Sequence, residues 1–448
     1  MSSDSKLERS ICDVLVIGGG PAGSTAAALL AEKGWQVALL EKDRHPRFHI
    51  GESLLPANVP LFERLGVKEA IERIGLLKYG AQFVSSYHGK SETFYFTEAV
   101  DKSFPFSYQV RRSEFDHLLL KNCIAKGAIV YEQTRVSHVQ FHRKQNSLVT
   151  AVDANGVLHH WETRFVIDAS GRDTFLADFF GIKQRNPKHK SAALFAHFEG
   201  AERLPGKDAG NISVFWFDHG WFWMIPLQDG AMSVGAVCWP YYLKSRKTDV
   251  ETFFLGTIAL CPGVAERLKH ARLISPVTAT GNYSYQARYM AGDGFLMVGD
   301  AFAFVDPVFS SGVLLAMNSA FLGAEIAHDC LAARRVSARR LKEYDRRVRH
   351  GLKLFSWFIY RVTSPAMRYM FMNPANNFGT KEGLISLLAG DIFGHTPIYR
   401  RIFMFKLFYY LFSLRLWKEC YAAYKVRKEN VRPAALSPNE SPARETVA

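Results

Sequence analysis

The stretch CDVLVIGGGPAGSTAAALLAEKGWQVALLEKD, residues 12–43, decides the fold of this chain. Its apolar run 14–17 predicts a buried parallel strand, residues 22–33 predict a helix, and residues 37–40 predict a second strand. Gly18, Gly20 and Gly23 stand between the first strand and the helix with the spacing G-x-G-x-x-G. A glycine pattern alone is weak, but in this order of elements, ending on the acid Glu41, it predicts a dinucleotide site.

Each residue of this motif has a physical reason to be there. Gly18 permits the tight turn, Gly20 lets the backbone approach a pyrophosphate, and Gly23 lets the helix pack closely on the strand. The pyrophosphate would lie at the helix N-terminus, where free amides and the helix dipole favour anions. Glu41 can accept hydrogen bonds from the ribose hydroxyls. The neighbours that we also expect at the cofactor are Ala22 and Lys42.

A second segment, LMVGDAFAFVDPVFSSGVLLAMN at 296–318, lies far from the glycine motif. It predicts a strand that ends at Asp300 and a helix that begins near Gly312. Two pieces of one nucleotide domain, separated by an inserted sheet, are typical of FAD enzymes rather than simple NAD dehydrogenases. Asp300 would face the ribityl chain of FAD. The amides at Gly312 and Val313 would point at the isoalloxazine ring, because a helix N-terminus favours the negative charge of a reduced flavin.

Other segments complete the predicted FAD domain. VRRSEFDHLLL (110–120) places Arg112 at a helix start, where it resembles the arginine that contacts FAD in p-hydroxybenzoate-hydroxylase-type FAD proteins. RFVIDASGR (164–172) predicts another strand and turn, and Val136 is a further candidate contact. We find no second dinucleotide motif for NADPH, so we expect reduced FAD to come from a separate flavin reductase.

The predicted fold class is α/β, with a split Rossmann-like FAD-binding domain, an inserted antiparallel β-sheet substrate domain and a helical C-terminal region. The FAD-binding domain is expected at 10–190 and 275–330. Residues 191–274 are rich in β-formers between turn residues and predict the substrate domain. Residues 331–430 form the helical region, with helices predicted at 313–333, 338–359 and 399–426. The Pro/Ser-rich tail 431–448 predicts disorder.

Three motifs carry a resemblance to the flavin-dependent halogenases, which belong to the same superfamily. GWFWMIP (220–226) is similar to their W-x-W-x-I-P signature, and FVDPVFSSG (304–312) is similar to their F-x-x-P-x-x-S-x-G pattern. GLLKYGAQF (75–83) follows HIGESLLPANVPLFERLGV (49–67), a segment that resembles carrier-acting halogenases. The superfamily resemblance extends from residue 12 to about residue 330.

The resemblance implies roles for individual residues. Lys78 would be the catalytic lysine, and Ser311 and Gly312 would hold the halide. Apolar neighbours would bury Lys78 and lower its pKa; the alternative is a surface lysine whose stem covers apolar side chains. The residues expected to form the walls of the substrate site and tunnel are Trp221, Trp223, Pro307 and Phe309.

The implied reaction installs chlorine or bromine on an electron-rich aromatic ring. Reduced FAD, oxygen and chloride or bromide would give hypohalous acid, which travels to Lys78. The lysine would then act through a hydrogen bond or as a transient chloramine. Tryptophan halogenases carry a glutamate where this chain has Phe309, which favours the carrier- or phenol-acting branch and a phenol or pyrrole substrate. An FAD-dependent aromatic hydroxylase or a prenyl reductase of the same fold is the alternative.

The charge of the chain indicates which kinds of partner it can bind. The net charge is +14, with basic stretches at 333–353 and 418–432. Such charge fits an acidic acyl- or peptidyl-carrier protein that presents the aromatic ring, an anionic membrane contacted peripherally, or a solvated surface. No nucleic-acid module is recognisable, so no nucleic-acid partner is expected.

The cysteines and the N-terminal sequence indicate the cellular compartment. The six cysteines are scattered without metal-ligand spacing, so no metal site is expected. Reduced thiols and the lack of a signal-peptide pattern in residues 1–14 predict a cytoplasmic protein.

Overall fold

The computed structural model describes residues 9–142, 146–186, 190–281, 284–334, 338–393 and 396–431. The predicted tail 431–448 lies outside the described residues except for Val431. Within the described ranges the chain forms two large sheets, two small sheets and a series of helices.

Strands occur from the N-terminus to residue 304. The longer ones are rich in valine, isoleucine and aromatic residues, which fit a pleated and buried surface. In chain order they are β1 Arg9–Ile17, β2 Val37–Leu40, β3 Gly75–Lys78, β4 Gly80–Ser85, β5 Lys90–Tyr95, β6 Ser107–Val110, β7 Ile129–Tyr131, β8 Arg135–Gln140, β9 Ser147–Val152, β10 Leu158–Asp168, β11 Lys183–Arg185, β12 Ala192–Glu199, β13 Ile212–Phe217, β14 Gly220–Pro226, β15 Met232–Cys238, β16 Arg272–Leu273, β17 Thr278–Gly281, β18 Tyr285–Ala287, β19 Ala291–Gly292, β20 Phe295–Met297 and β21 Ala303–Phe304.

Helices connect the strands and dominate the described chain after residue 311. Most of the short ones lie in the connections between sheets. In chain order they are α1 Pro21–Glu32, α2 Val59–Leu65, α3 Lys68–Ile74, α4 Arg112–Ala125, α5 Phe175–Phe179, α6 Pro240–Lys244, α7 Val250–Ala259, α8 Pro262–Arg267, α9 Gly312–Ala332, α10 Ala338–Ile359, α11 Pro365–Met372, α12 Thr380–Ala389, α13 Ile398–Arg415 and α14 Trp417–Val431.

The first large sheet contains the glycine motif near its centre. Its strand order is β19-β20-β10-β1-β2-β7, with β9 paired to β10 and β8 paired to β9. β1 lies parallel to both β10 and β2, and β20 lies parallel to β10. Strands that precede residue 170 are therefore joined by a strand from 295–297, as expected for a split nucleotide domain. Their carboxyl ends share one edge, which is where such sheets bind nucleotides.

The second large sheet has the order β16-β12-β15-β14-β13-β4-β5, with β17 beside β12. All of its pairs are antiparallel except β13 with β4. β4 and β5 come from residues 80–95, so the sheet also draws on chain outside the predicted substrate domain 191–274. The predicted α/β class and the helical C-terminal region are confirmed.

The sequence prediction covers only part of the C-terminal helices, since α11 and α12 lie between two predicted helices and were not predicted. α9 and α10 match the helices predicted at 313–333 and 338–359 to within one residue. Residues 399–426 are helical as predicted, but Leu416, with φ −99° and ψ 36°, divides them between α13 and α14. α13 packs on α11 and α12 whereas α14 packs on α11 and α6, and the break redirects the chain between these neighbours. In the described part of the chain, no helix is long and apolar enough to cross a membrane.

Candidate functional site

The turn between β1 and α1 depends on contacts that only glycine allows. Gly18 has φ +99°, and a Cβ on it would come within 2.5 Å of the Ala169 carbonyl oxygen. A Cβ on Gly23 would come within 1.9 Å of the Gly18 carbonyl oxygen, so α1 packs directly on the turn. At Gly20 a Cβ would meet only the tip of the Arg47 side chain, at 3.7 Å. The backbone at Gly20 therefore borders open space.

The N-terminus of α1 and the carboxylate of Glu41 face the same space. Gly20 precedes α1 without a side-chain acceptor for the first-turn amides, so these amides can bind an anion. Glu41 directly follows β2 and accepts hydrogen bonds from the Gly19 amide at 2.6 Å and the Asp43 amide at 2.8 Å. These bonds hold the carboxylate beside the glycine turn.

A cavity of about 560 Å³ lies at this edge and is lined by residues of both large sheets. Most of the candidate site residues lie on its wall. They are Gly18, Gly20, Ala22, Glu41, Lys42, Arg112, Val136, Trp221, Trp223, Asp300, Pro307, Gly312 and Val313. The candidates that lie behind the wall are Gly23, Lys78, Phe309 and Ser311.

Arg112 reaches the cavity wall from the first turn of α4. Its guanidinium donates to both carboxylate oxygens of Asp116, at 2.8 and 3.1 Å, and to the Ile50 carbonyl at 3.0 Å. Asp116 also contacts Arg47 at 3.3 Å. Burial alone would raise the pKa of Asp116, but the charge of Arg112 holds it below its usual range. Arg112 is thus a fixed positive charge on the cavity wall, with the forked side of its guanidinium held by Asp116.

The loop before α9 brings a second helix N-terminus to the cavity. Ser310 has a left-handed φ of 55°, and the Ser311 side chain does not cap α9. Ser311 therefore leaves the first-turn amides of α9 uncapped, and such amides favour a halide or the negative edge of a reduced flavin. Gly312 lines the cavity, whereas Ser311 is buried behind it. Burial raises the pKa of Asp300, on the same wall, to about 6.

Lys78 ends β3 and is almost completely enclosed, with 1% of its surface exposed. Its Nζ donates to Ser53 Oγ at 2.8 Å and to the Leu54 carbonyl at 3.1 Å. The Phe96 ring centre lies 5.5 Å from Nζ. Among the described residues no carboxylate lies within ion-pair distance of Lys78, so burial lowers its pKa to about 7. Since Ser53 lines the cavity, Lys78 lies one hydrogen bond behind the wall.

Trp221 and Trp223 contribute aromatic side chains to the wall from β14. Their ring centres lie 6.0 Å apart, and the Trp223 indole N–H donates to Ser233 Oγ at 3.2 Å. A Cβ on Gly235, which faces Trp223 on β15, would come within 2.2 Å of the indole ring. Gly235 therefore leaves the space that the Trp223 ring occupies.

A buried pair of an acid and an imidazole at the cavity was not predicted from the sequence. Glu52, 1% exposed, lines the cavity, and its Oε1 lies 2.7 Å from His197 Nε2. In the part of the chain that the structure describes, Glu52 Oε2 has no hydrogen-bond partner. The available signal was the acid within GES at 51–53. The two residues are 145 positions apart, so no local pattern could pair them.

Comparisons with known proteins agree with these features. Residues 11–351 match the FAD binding domain family. The chain is 29% identical to a 1H-pyrrole-2-carbonyl-(peptidyl-carrier protein) chlorinase of Pseudomonas fluorescens, over 85% of this chain and 89% of that protein. It is 35% identical to a tryptophan 2-halogenase of Chondromyces crocatus over 71% of this chain, but the match spans only 61% of that protein.

A solved structure is similar in both sequence and fold. The myxobacterial chondrochloren halogenase, a variant of the FAD-dependent halogenases, is 34% identical with a TM-score of 0.75. The match covers 85% of this chain and 90% of the chondrochloren halogenase chain. The similarity therefore includes both large sheets and not the nucleotide half alone.

Proposed function

Because this chain belongs to the FAD-dependent halogenases, we propose that it installs chlorine or bromine on an electron-rich aromatic ring, with Lys78 delivering the halogen. The observation that carries the proposal is the state of Lys78, a buried lysine with a pKa of about 7, one hydrogen bond behind the cavity wall. An unpaired buried ammonium is costly in free energy. An apolar residue would serve a purely structural role better.

The residues present fit FAD. The open space at Gly20 and the uncapped N-terminus of α1 suit the pyrophosphate, and Glu41 suits a ribose. We assign Arg112 and Asp300 to the flavin half of the cofactor. The other proposed contacts are Gly18, Ala22, Gly23, Lys42, Val136, Gly312 and Val313. When bound in its reduced form, FAD supplies with oxygen the oxidising power that converts chloride or bromide to hypohalous acid.

The loop before α9 is the proposed halide site. Ser311 and Gly312 contribute backbone amides at a helix N-terminus, which favours a monovalent anion. Trp221, Trp223 and Pro307 form the proposed aromatic and apolar wall, which excludes water between the halide and the ring. Phe309 is buried and does not line the cavity, so it remains a wall residue only as a proposal.

Lys78 has two possible roles. As an ammonium, its Nζ donates a hydrogen bond to hypohalous acid and polarises the oxygen–halogen bond. As a neutral amine, its Nζ takes the halogen and water is released. A pKa of about 7 populates both forms at neutral pH. In either case the ring exchanges a proton for the halogen, and the oxygen of hypohalous acid leaves as water.

The proposed substrate is a phenol or a pyrrole, in free form or attached to a carrier protein. Phe309 stands where tryptophan halogenases carry a glutamate, so no carboxylate at this position assists a weakly activated ring. The relative from Pseudomonas fluorescens acts on a pyrrole held by a peptidyl-carrier protein. α10 carries seven lysines and arginines against two acids, a charge that would attract an acidic carrier. Reduced FAD would come from a separate flavin reductase.

The experiment combines the protein with a flavin reductase, NADH, FAD, oxygen and bromide or chloride. The substrates are a phenol, a pyrrole carboxylic acid, the same pyrrole on a peptidyl-carrier protein, and tryptophan. We expect mass spectrometry to show one added halogen on the phenol or pyrrole and none on tryptophan. Lys78→Met should lower the halogenation rate roughly 100- to 10,000-fold without weakening FAD binding. Lys121→Met, which removes an exposed lysine, is the matched control.

Two outcomes would contradict the proposed reaction, and a third would reject one proposed partner. Halogenation that survives in Lys78→Met would show that the lysine does not deliver the halogen. A hydroxylated or reduced product formed with NADPH and no added reductase would favour the aromatic hydroxylase or prenyl reductase. Equal rates on the free and the carrier-bound pyrrole, unaffected by salt, would reject the carrier protein as a partner.

A further inference from the structure

The last two helices expose an apolar surface that nothing in the described chain covers. On α13, Phe403, Leu407, Tyr410, Leu411 and Leu414 are 43 to 71% exposed. Their spacing of four, three, one and three residues places them on one face of the helix. α13 is thus apolar on its outer face. The side chains of the opposite face, which are buried, are Ile398, Ile402, Phe405 and Tyr409.

α14, which follows α13 directly in the chain, also exposes aromatic residues. Trp417, Tyr421 and Tyr424 are 53 to 58% exposed and share one face, because they are four and three residues apart. Lys418 Nζ lies 5.9 Å from the Trp417 ring centre, and Lys425 Nζ lies 4.8 Å from the Tyr421 ring centre. We call these eight side chains of α13 and α14 the C-terminal apolar surface.

The surroundings of the C-terminal apolar surface are strongly basic. Residues 398–431 contain eight lysines and arginines and only two glutamates. Arg400 and Arg415 are exposed on α13, and Lys418, Lys425 and Lys428 are exposed on α14. The surface therefore combines exposed aliphatic and aromatic side chains with a large excess of positive charge.

We propose that the C-terminal apolar surface binds an anionic lipid membrane, with α13 and α14 resting at its surface. Aliphatic side chains can enter the boundary between headgroups and acyl chains, and tryptophan and tyrosine favour the lipid–water interface. Lysines and arginines beside them attract anionic headgroups. α13 would be about 27 Å long at 1.5 Å per residue, so it offers an extended contact to a flat bilayer. This proposal does not depend on the reaction at Lys78.

Other occupants fit these observations less well. A second copy of the chain would bring two strongly basic surfaces together, which like-charge repulsion opposes. Residues 432–448 contain only one leucine and one valine as large apolar residues, too few to cover eight exposed side chains. An acidic carrier protein would satisfy the charge, but it would leave the aliphatic stripe of α13 without an apolar partner.

The experiment measures sedimentation of the FAD-loaded protein with two kinds of vesicle. One is pure phosphatidylcholine, and the other contains about 30% phosphatidylglycerol, so that negative headgroup charge dominates. We expect binding to the anionic vesicles at least roughly tenfold stronger than to neutral ones, and weaker in high salt. The double variant Leu411→Glu and Leu414→Glu should reduce this binding at least roughly tenfold, because two apolar side chains that would enter the membrane are lost. Ile129→Glu with Leu158→Glu, which changes two exposed apolar residues elsewhere by the same charge, is the matched control.

A second variant pair tests the role of charge. Lys418→Gln, Lys425→Gln and Lys428→Gln together should weaken binding to anionic vesicles and leave the weak binding to neutral ones unchanged. The control removes three exposed lysines elsewhere, Lys33, Lys121 and Lys247, and should have a smaller effect. FAD content and the unfolding midpoint show whether each variant keeps its fold.

Several results would overturn the proposal. Wild-type protein that does not sediment with anionic vesicles would refute it, as would equal losses in the leucine variant and its control. Light scattering that shows a dimer, broken by the leucine variant, would assign the surface to a second copy. Loss of carrier-bound halogenation in that variant, with vesicle binding intact, would assign it to a carrier protein.

Discussion

Two cations are buried near the cavity, and the protein holds them in opposite ways. Arg112 is 6% exposed and meets the carboxylate of Asp116 through two hydrogen bonds. Lys78 is 1% exposed and, among the described residues, meets only neutral acceptors, on Ser53 and Leu54. A guanidinium stays charged and needs a counter-charge, whereas an amine can release its proton when it is desolvated. A buried cation with a counter-charge therefore keeps a fixed charge and position, whereas a buried amine without one can change its protonation state.

The largest effect on stability is expected where the paired cation loses its partner. Asp116→Asn would leave Arg112 and Arg47 close together without the carboxylate that both contact. We expect the free energy of unfolding to fall by roughly 3–5 kcal/mol, because an uncompensated charge remains buried. Urea denaturation with circular dichroism measures this change. FAD affinity should fall as well, since Arg112 lines the cavity.

An exposed ion pair provides the control for this prediction. Glu32 contacts Arg64 at 2.9 Å and Lys126 at 3.2 Å on the surface. Glu32→Gln should change the free energy of unfolding by about 1 kcal/mol or less, because water screens such pairs. If Asp116→Asn is as mild as Glu32→Gln, Arg112 is not held by a buried charge pair and the comparison fails.

Replacing Lys78, the cation without a counter-charge, should have the opposite effect, because its burial lowers the free energy of unfolding. Lys78 has a pKa of about 7 in the folded protein and 10.5 in the unfolded chain, so the unfolded state binds more protons between these values. The loss of unfolding free energy that Lys78 causes in the wild type is complete below pH 7 and disappears as the pH rises to 10.5. Lys78→Met should therefore stabilise the fold by roughly 2–4 kcal/mol at pH 7, with little gain near pH 10.5.

Urea denaturation of Lys78→Met and wild type across this pH range measures the difference in unfolding free energy. Lys121→Met, which removes an exposed lysine, should show no such pH-dependent gain. A destabilised Lys78→Met variant at pH 7 would mean that the lysine has a stabilising counter-charge, and it would remove the contrast with Arg112.

The smallest effect is expected at Ser53, which contacts Lys78 but carries no charge. Ser53→Ala removes one acceptor from the ammonium, which disfavours the charged form and lowers the pKa of Lys78. The free energy of unfolding should change by about 1 kcal/mol. The pH profile of halogenation separates the two roles of Lys78. A falling limb that moves to lower pH supports the hydrogen-bond donor, and a rising limb that moves to lower pH supports the amine.

Ser233→Ala is the matched control, since it removes a buried hydroxyl that contacts Trp223 and not Lys78. Its pH profile should keep the wild-type position even if its rate changes. A profile that Ser53→Ala leaves unmoved would separate the titration of Lys78 from the reaction.

Motifs with local spacing could be interpreted from the sequence to within about one residue for α1, β2 and α9, whereas β1 begins five residues before its predicted start and β20 ends three residues before its predicted end. The glycine turn, α1 and β2 lie where residues 12–43 predict them, and α9 begins at Gly312 as expected. Hydrophobic periodicity and glycine spacing encode contacts between neighbours along the chain, so these elements need no knowledge of the remainder. The family resemblance could be recognised for the same reason, since its motifs are short and continuous.

Features made by distant segments could not be predicted in this way. The second sheet takes β4 and β5 from residues 80–95, and Glu52 meets His197 across 145 positions. The break at Leu416 also depends on tertiary contacts, because α13 and α14 pack on different neighbours. Local sequence patterns cannot identify such long-range partners.

The sequence by itself determined the α/β class, the split nucleotide domain, the halogenase family and the choice of Lys78 as the residue to examine. Only the tertiary structure decided that no carboxylate of the described residues lies beside the buried Lys78, and that no described segment covers the outer face of α13. The pKa of Lys78 depends on how completely other segments remove water from Nζ. Exposure of the C-terminal apolar surface likewise depends on where every other segment packs. Both properties depend on contacts between segments that are distant in sequence, and local sequence patterns do not specify such contacts.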